Sequence, residues 1–168
     1  SYGGVGATCN PVIAYTTIKK HLDVWAPRIQ AIADANPTWG ESEIGWKAVK
    51  DMSQEAAKLL EPIFDEHKGR NGRLSVQTDP RFHRDAKKLA DQAEEFHNLA
   101  RNIVVKIPAT KTGLEAIEDA TSRGVSINVT VSFSVPQAVQ AAEAIERGLK
   151  AREAAGHDTS EMGPVVTI

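Results

Sequence analysis

The chain has 168 residues, 41% of them hydrophobic and 25% charged, with a formal net charge of −2, which is an ordinary globular profile. Acids and bases are interleaved, so there is no basic face for a nucleic acid, and no apolar run approaches the roughly 20 residues of a membrane span. The lone Cys9 excludes an internal disulfide, no Cys/His cluster has metal-ligand spacing, and Ser1-Tyr2-Gly3-Gly4 lacks the charged-then-apolar pattern of a leader, so a reducing cytoplasm is expected.

In chain order, a β-rich run comes first, at Val5-Gly6-Ala7-Thr8-Cys9. The stretch from about Pro11 to His67 predicts several helices, interrupted near Asn36-Pro37 and Gly40, with helical spacing over Ala48, Val49, Met52, Ala56, Leu59, Leu60 and Ile63. A second strand follows at Arg73-Leu74-Ser75-Val76-Gln77. A helix is then marked by Ala86, Leu89, Ala90, Ala93, Leu99 and Ala100. The third strand is Ile103-Val104-Val105-Lys106-Ile107. After it, Thr112-Gly113-Leu114-Glu115 reads as a capping box that opens another helix. Residues Val125 to Val131 make the fourth strand. Ser134-Val135-Pro136-Gln137 reads as a second capping box, ahead of a helix marked by Val135, Ala138, Val139, Ala142, Ile145 and Leu149. The last strand is Val165-Val166-Thr167-Ile168.

Strand and helix alternation with short links predicts right-handed βαβ units and a parallel α/β sheet. No composition shift or linker divides the chain, so residues 1–168 read as a single domain. Five strands suit either an open doubly wound sheet or part of a closed barrel, which takes about 250 residues. The abrupt apolar ends at Val5 and Ile168 favour a piece of a larger barrel. Its two edge strands, near Val5–Thr8 and Val165–Ile168, are expected to be covered by a neighbouring segment or by a second copy in a homo-oligomer.

Side chains alternate in a strand, so residues two apart share a face. Lys106 then shares a face with Val104, Gln77 with Ser75, and Asn128 with Thr130. Thr8 and Asn10 close the first run, and Thr167 sits in the last. Every strand thus carries polar groups toward its C-terminal end, where parallel α/β folds build their sites. The pocket so implied holds one amine. Burial disfavours the charged form of an amine and leaves a nucleophile for carbonyl carbon. Gly3-Gly4-Val5-Gly6 precedes its strand, so the dinucleotide fingerprint fails. Imine chemistry without a metal or cofactor is the reading left. Against it stands a lysine whose stem packs on the sheet while its head reaches water. Asn128 and Thr130 equally fit strand ends, Asn10-Pro11 a helix start, and Asp79-Pro80 a turn and cap. Cys9 reads as a small buried hydrophobe, and the five histidines as surface residues without a role.

Four segments resemble the transaldolase family, in order and approximate spacing. They are Thr8-Cys9-Asn10-Pro11, then Gly72-Arg73-Leu74-Ser75 with Asp79-Pro80-Arg81, then Val105-Lys106-Ile107-Pro108-Ala109-Thr110, and then Gly124-Val125 with Asn128-Val129-Thr130 and Phe133-Ser134. The resemblance implies a (β/α)8 TIM barrel of which this chain supplies strands two to six. It implies transfer of a dihydroxyacetone unit between a ketose phosphate and an aldose phosphate, in the pentose phosphate pathway. Lys106 is then the imine-forming residue and Thr130 the residue that positions a catalytic water. Asn10 and Asn128 bind the dihydroxyacetone moiety, and Thr167 stands where the family has a serine near the substrate.

The chain departs from the family at Gln77, where transaldolases usually carry the glutamate that works as acid and base through water. Glutamine orients water but does not accept its proton at neutral pH. The related fructose-6-phosphate aldolase subgroup has glutamine there, which implies an alternative in which dihydroxyacetone is released. A third alternative is a sugar-phosphate-binding barrel without turnover. The family's phosphate-binding arginine and first-strand aspartate would fall beyond Ile168 and before Ser1.

Overall fold

The computed structural model describes residues 4–168, so Ser1 to Gly3, including the leader reading and the start of the Gly3-Gly4-Val5-Gly6 run, lie outside the described residues. Five strands appear in chain order: β1 (Gly6–Cys9), β2 (Arg73–Gln77), β3 (Ile103–Pro108), β4 (Ile127–Thr130) and β5 (Val165–Val166). Three helices fill the long first connection, α1 (Pro11–Lys20), α2 (Leu22–Ala35) and α3 (Glu41–Glu66). One helix spans each later gap: α4 (Ala86–His97), α5 (Lys111–Ser122) and α6 (Val135–Ala154). A short 3-10 turn, Pro80–Phe82, precedes α4.

Every neighbouring pair is parallel, and the strand order is β1-β2-β3-β4-β5. This order decides between the two architectures left open by the sequence. A doubly wound sheet reverses its strand order at a switch point, whereas a barrel adds each strand beside the last. The order here runs without reversal, as in part of a (β/α) barrel.

The helices lie on one face, which is where the core forms. Ile103, Val105 and Ile107 of β3 and Ile127 and Val129 of β4 are fully buried, together with Leu89, Phe96, Ile117 and Ala144 from the helices. Each such side chain contributes about 1.5–3 kcal/mol when fully removed from water. Close packing of α5 on α6 depends on Gly148. A Cβ there would stand 2.6 Å from both the Glu118 carbonyl oxygen and the Thr121 Cβ.

The opposite face curls inward. Neighbouring strands lie about 4.8 Å apart, so β2 and β4 are separated by about 10 Å in a flat sheet. Yet Asn128 Nδ2 on β4 donates to Ser75 Oγ on β2 at 3.1 Å, reaching over β3. Two side chains that short meet only where the sheet bends toward them. This is the concave face, and the polar residues of the strands occupy it.

Several local expectations shift. The helix after β3 begins at Lys111, and its cap is Thr110, whose side chain accepts from Gly113 N–H; the box expected from Thr112 does not form. Thr110 has extended backbone and can cap, whereas Thr112 is already inside the first turn. Gly113 is required there, because a Cβ would fall 1.9 Å from the Pro108 carbonyl oxygen. The fourth strand is shorter than Val125–Val131. It ends at Thr130, where Val131 turns to φ +57. The break before α3 falls where expected, with Asn36 ending α2 and Gly40 preceding α3, and α3 extends well beyond the periodic stretch at its N-terminal end.

Candidate functional site

Register gathers the predicted residues into rows. Gln77 on β2 pairs with Lys106 on β3, and Lys106 pairs with Asn128 on β4. These three therefore stand side by side on the concave face. One row further along, Pro108 pairs with Thr130. Val165 pairs with Asn128, and Thr167, two residues on, donates its hydroxyl to Asn128 Oδ1 at 2.8 Å. Gln77, Lys106, Asn128, Thr130 and Thr167 thus share one polar surface at the C-terminal ends of the strands.

Asn128 is oriented from both sides. It donates to Ser75, and it accepts from Thr167. With a hydroxyl bonded at each end, the amide group is held in place from β2 on one side and from the residue after β5 on the other. The bridge passes over β3 between Val104 and Lys106. Val104 points to the concave face and is still only 2% exposed, so the bridge forms part of a floor beneath the amine. Ser75 shared a face with Gln77 in the sequence reading but was given no role. Its sequence signals are alternation and its place in the Gly72-Arg73-Leu74-Ser75 segment.

Lys106 stands half-buried on this face, turned away from the helices. Its amine makes no salt bridge among the described residues. Its neighbour across β2 is the neutral Gln77, and its neighbour across β4 is the neutral Asn128. An amine surrounded by neutral hydrogen-bonding groups has no partner to hold it as a structural ion.

Asn10 behaves differently from the others. It follows β1, and its Oδ1 accepts from Ile13 N–H at 2.8 Å as the cap of α1. The helix-start reading of Asn10-Pro11 is what the structure displays, and the amide nitrogen makes no hydrogen bond among the described residues. Asp79 likewise caps, as the sequence suggested. Its buried carboxylate accepts from Arg81 N–H at 2.9 Å and from the Arg81 guanidinium. Burial pushes that carboxyl up, but the Arg81 hydrogen bonds outweigh it and hold Asp79 below the usual carboxylate range.

Cys9 is buried, and burial raises its thiol above the ordinary value, which suits a packing role. The histidine expectation needs one correction. His97 is half-buried at the end of α4, with Nδ1 3.3 Å from the Ile103 carbonyl oxygen. Among the described residues no group of three or more His, Cys, Asp or Glu is placed to hold a metal ion. Among the described residues no helix is long and apolar enough to cross a membrane either.

A cavity of about 850 Å³ lies at the other end of the strands, between Glu66–Arg70, Arg73 and Ser160–Val165. Sites in parallel α/β folds form at the C-terminal ends, so that cavity is not the candidate.

A model of the family described as transaldolase/fructose-6-phosphate aldolase matches residues 2–160. Transaldolase 1 of Streptomyces avermitilis is 32% identical over 166 residues, covering 98% of this chain and 43% of that protein. A transaldolase of Arthrobacter sp. is 34% identical over 168 residues, and one of Mycobacterium bovis is 34% identical over 167, each alignment covering 44% of the relative. The chain therefore spans less than half the length of the curated relatives it matches.

Proposed function

Because the chain belongs to the transaldolase/fructose-6-phosphate aldolase family, we propose that the protein transfers a dihydroxyacetone unit from a ketose phosphate to an aldose phosphate through an imine on Lys106. The single observation that carries the reading is the register row Gln77–Lys106–Asn128, which sets one unpaired amine between two neutral amide side chains on the concave face.

The amine adds to the ketose carbonyl, and loss of water yields the imine. The imine then draws electrons as the bond between the third and fourth sugar carbons breaks, and the fourth-carbon hydroxyl gives up its proton. That step releases an aldehyde and leaves a three-carbon enamine on Lys106. Addition of the enamine to a second aldehyde, followed by water, frees the product and the amine. Asn128, held by Ser75 and Thr167, presents its remaining N–H to the bound hydroxyls. Thr130, in the next row, orients the water that carries protons. Asn10 contributes its free amide N–H from the end of β1.

A specific observation favours a second reading on the same site. Gln77 is the direct neighbour of Lys106 and cannot take a proton from water, so cleavage that releases dihydroxyacetone is the alternative.

The test is borohydride trapping of the full-length protein with fructose 6-phosphate. A reduced adduct mapped to Lys106 is expected, and its absence from well-folded protein would sink the reading. Turnover that requires an aldose-phosphate acceptor supports transfer; turnover without one supports cleavage. An adduct with no turnover under either condition would indicate a sugar-phosphate-binding barrel.

A further inference from the structure

Gln137, in the first turn of α6, holds four groups from two separate loops. Its Oε1 accepts from Phe133 N–H at 3.1 Å and from the Ser134 hydroxyl at 3.1 Å. Its Nε2 donates to the Ala109 carbonyl at 3.2 Å and to the Val131 carbonyl at 3.3 Å. Both N–H groups and the oxygen are used, so the amide has one orientation: a flip would set its oxygen against two carbonyls. Ala109 follows β3, three residues after Lys106, and its N–H donates to the Thr130 carbonyl at 2.8 Å. Val131 directly follows Thr130. The ends of the Lys106 strand and of the Thr130 strand are therefore fastened twice, by that backbone bond and by the Gln137 side chain.

The loop it fastens carries local costs. Val131 sits at φ +57, a left-handed conformation that is strained for a β-branched residue. It is 44% exposed, so packing returns little. Next to it, Ser132 is buried at 2%, with a hydroxyl that has no partner among the described residues. Strain and an unsatisfied hydroxyl persist only where the surroundings over-determine the conformation. Among the described residues, the one side chain that bonds the Val131 carbonyl is that of Gln137. The left-handed turn also ends the strand at Thr130, making it the last strand residue on the Lys106 face.

We infer that Gln137 is a positioning residue for the reaction: it keeps Val131 in its strained turn and so sets the placement of Thr130 relative to Lys106. This rests on the reading that Lys106 forms the imine and that Thr130 orients water. Gln137 touches no reacting atom. Its effect passes through the two loop carbonyls.

The test uses Gln137→Glu in the full-length protein. Glutamate keeps an oxygen for Phe133 and Ser134 but turns the other end into an acceptor facing two carbonyls. Borohydride adduct on Lys106 is expected to form as in the unaltered protein, while kcat falls by about 100-fold, the loss typical of a 1 Å misplacement, and KM moves much less. Adding Val131→Gly, which adopts the left-handed turn without help, is expected to recover at least about ten-fold of the lost kcat. Gln137→Met, which removes all four bonds without a charge, is the second variant should the glutamate protein fold poorly, and the same split is expected from it. Turnover within about two-fold of the unaltered protein, parallel loss of adduct and turnover, or no recovery with glycine would each overturn the inference. Failure of the unaltered protein to form an adduct would instead overturn the imine reading itself.

Discussion

Two long cations occupy the concave face, one at each end of the sheet, and their surroundings are opposite. Arg73 opens β2 at the N-terminal end. Its Nε donates to the Gly69 carbonyl at 2.7 Å, one Nη to the Glu161 carbonyl at 2.8 Å, and the other Nη to Ser126 Oγ at 3.4 Å. It also stacks on Phe64, with Cζ 5.2 Å from the ring centre. Lys106, near the C-terminal end of β3, stands between two neutral amides and forms no salt bridge among the described residues. A cation whose donors are spent on its own backbone holds the fold together. One whose donors are free is placed to meet a substrate. The same face is thus a structural plug at one end and a candidate reaction surface at the other.

The contrast breaks most sharply at Lys106. In the full-length protein Lys106→Met is expected to cut turnover by at least about a thousand-fold, as loss of a covalent nucleophile does. Its melting temperature should stay level or rise, since no salt bridge is lost. Steady-state assays paired with calorimetry check both halves, and a melting point that drops along with activity would erase the distinction drawn here. Arg73→Met is the mirror experiment. It should lower stability by about 2–3 kcal/mol, because three charged hydrogen bonds disappear and carbonyls lose their donors, while kcat per folded molecule holds. Urea titration and active-site counting measure the two quantities.

A pH experiment sharpens the structural end. Burial, assisted by the positive charges of Arg73 and Arg152, pushes His97 below the ordinary histidine value, though its bond to the Ile103 carbonyl opposes the shift. A base depressed in the fold binds fewer protons than in the unfolded chain. Stability is therefore full above the unfolded value of about 6.5 and declines as pH falls below it. His97→Gln should flatten that decline in urea titrations between pH 7.5 and 5, and an unchanged slope would place its origin elsewhere. The smallest effect belongs to Ser75→Ala, which frees one side of the Asn128 amide. About 1 kcal/mol of stability and a several-fold loss of kcat/KM are expected. A variant identical to the parent in both would show that Thr167 alone orients Asn128.

Much of this was legible in the residues. Alternation in β2, β3 and β4 assigned Lys106, Gln77, Asn128 and Thr130 to one face, because a strand has a period of two whatever its neighbours do. Caps at Asn10, Asp79 and Ser134 were legible for a similar reason, since each acts on backbone two or three residues away. Other features were not. Gln137 read only as half of a capping box. Its amide in fact reaches back to Phe133 N–H and across to Ala109, 28 residues earlier. Val131 read as strand, and nothing in a run of β-branched residues announces a left-handed turn. The role of Ser75 depends on a partner 53 residues away, and Arg73 was read as a strand residue when its guanidinium binds a carbonyl 88 residues on.

By itself, then, the sequence determined the alternation of strands and helices and the placement of Lys106 on the strand face opposite Ile103, Val105 and Ile107, because these follow from short periods along the chain. Only the tertiary structure decided that the strands are laid down in unbroken order, that their polar face curls until β2 and β4 touch, and which of two cations is left unpaired. Those outcomes depend on register and on bonds between residues far apart in the chain, and no local pattern encodes them.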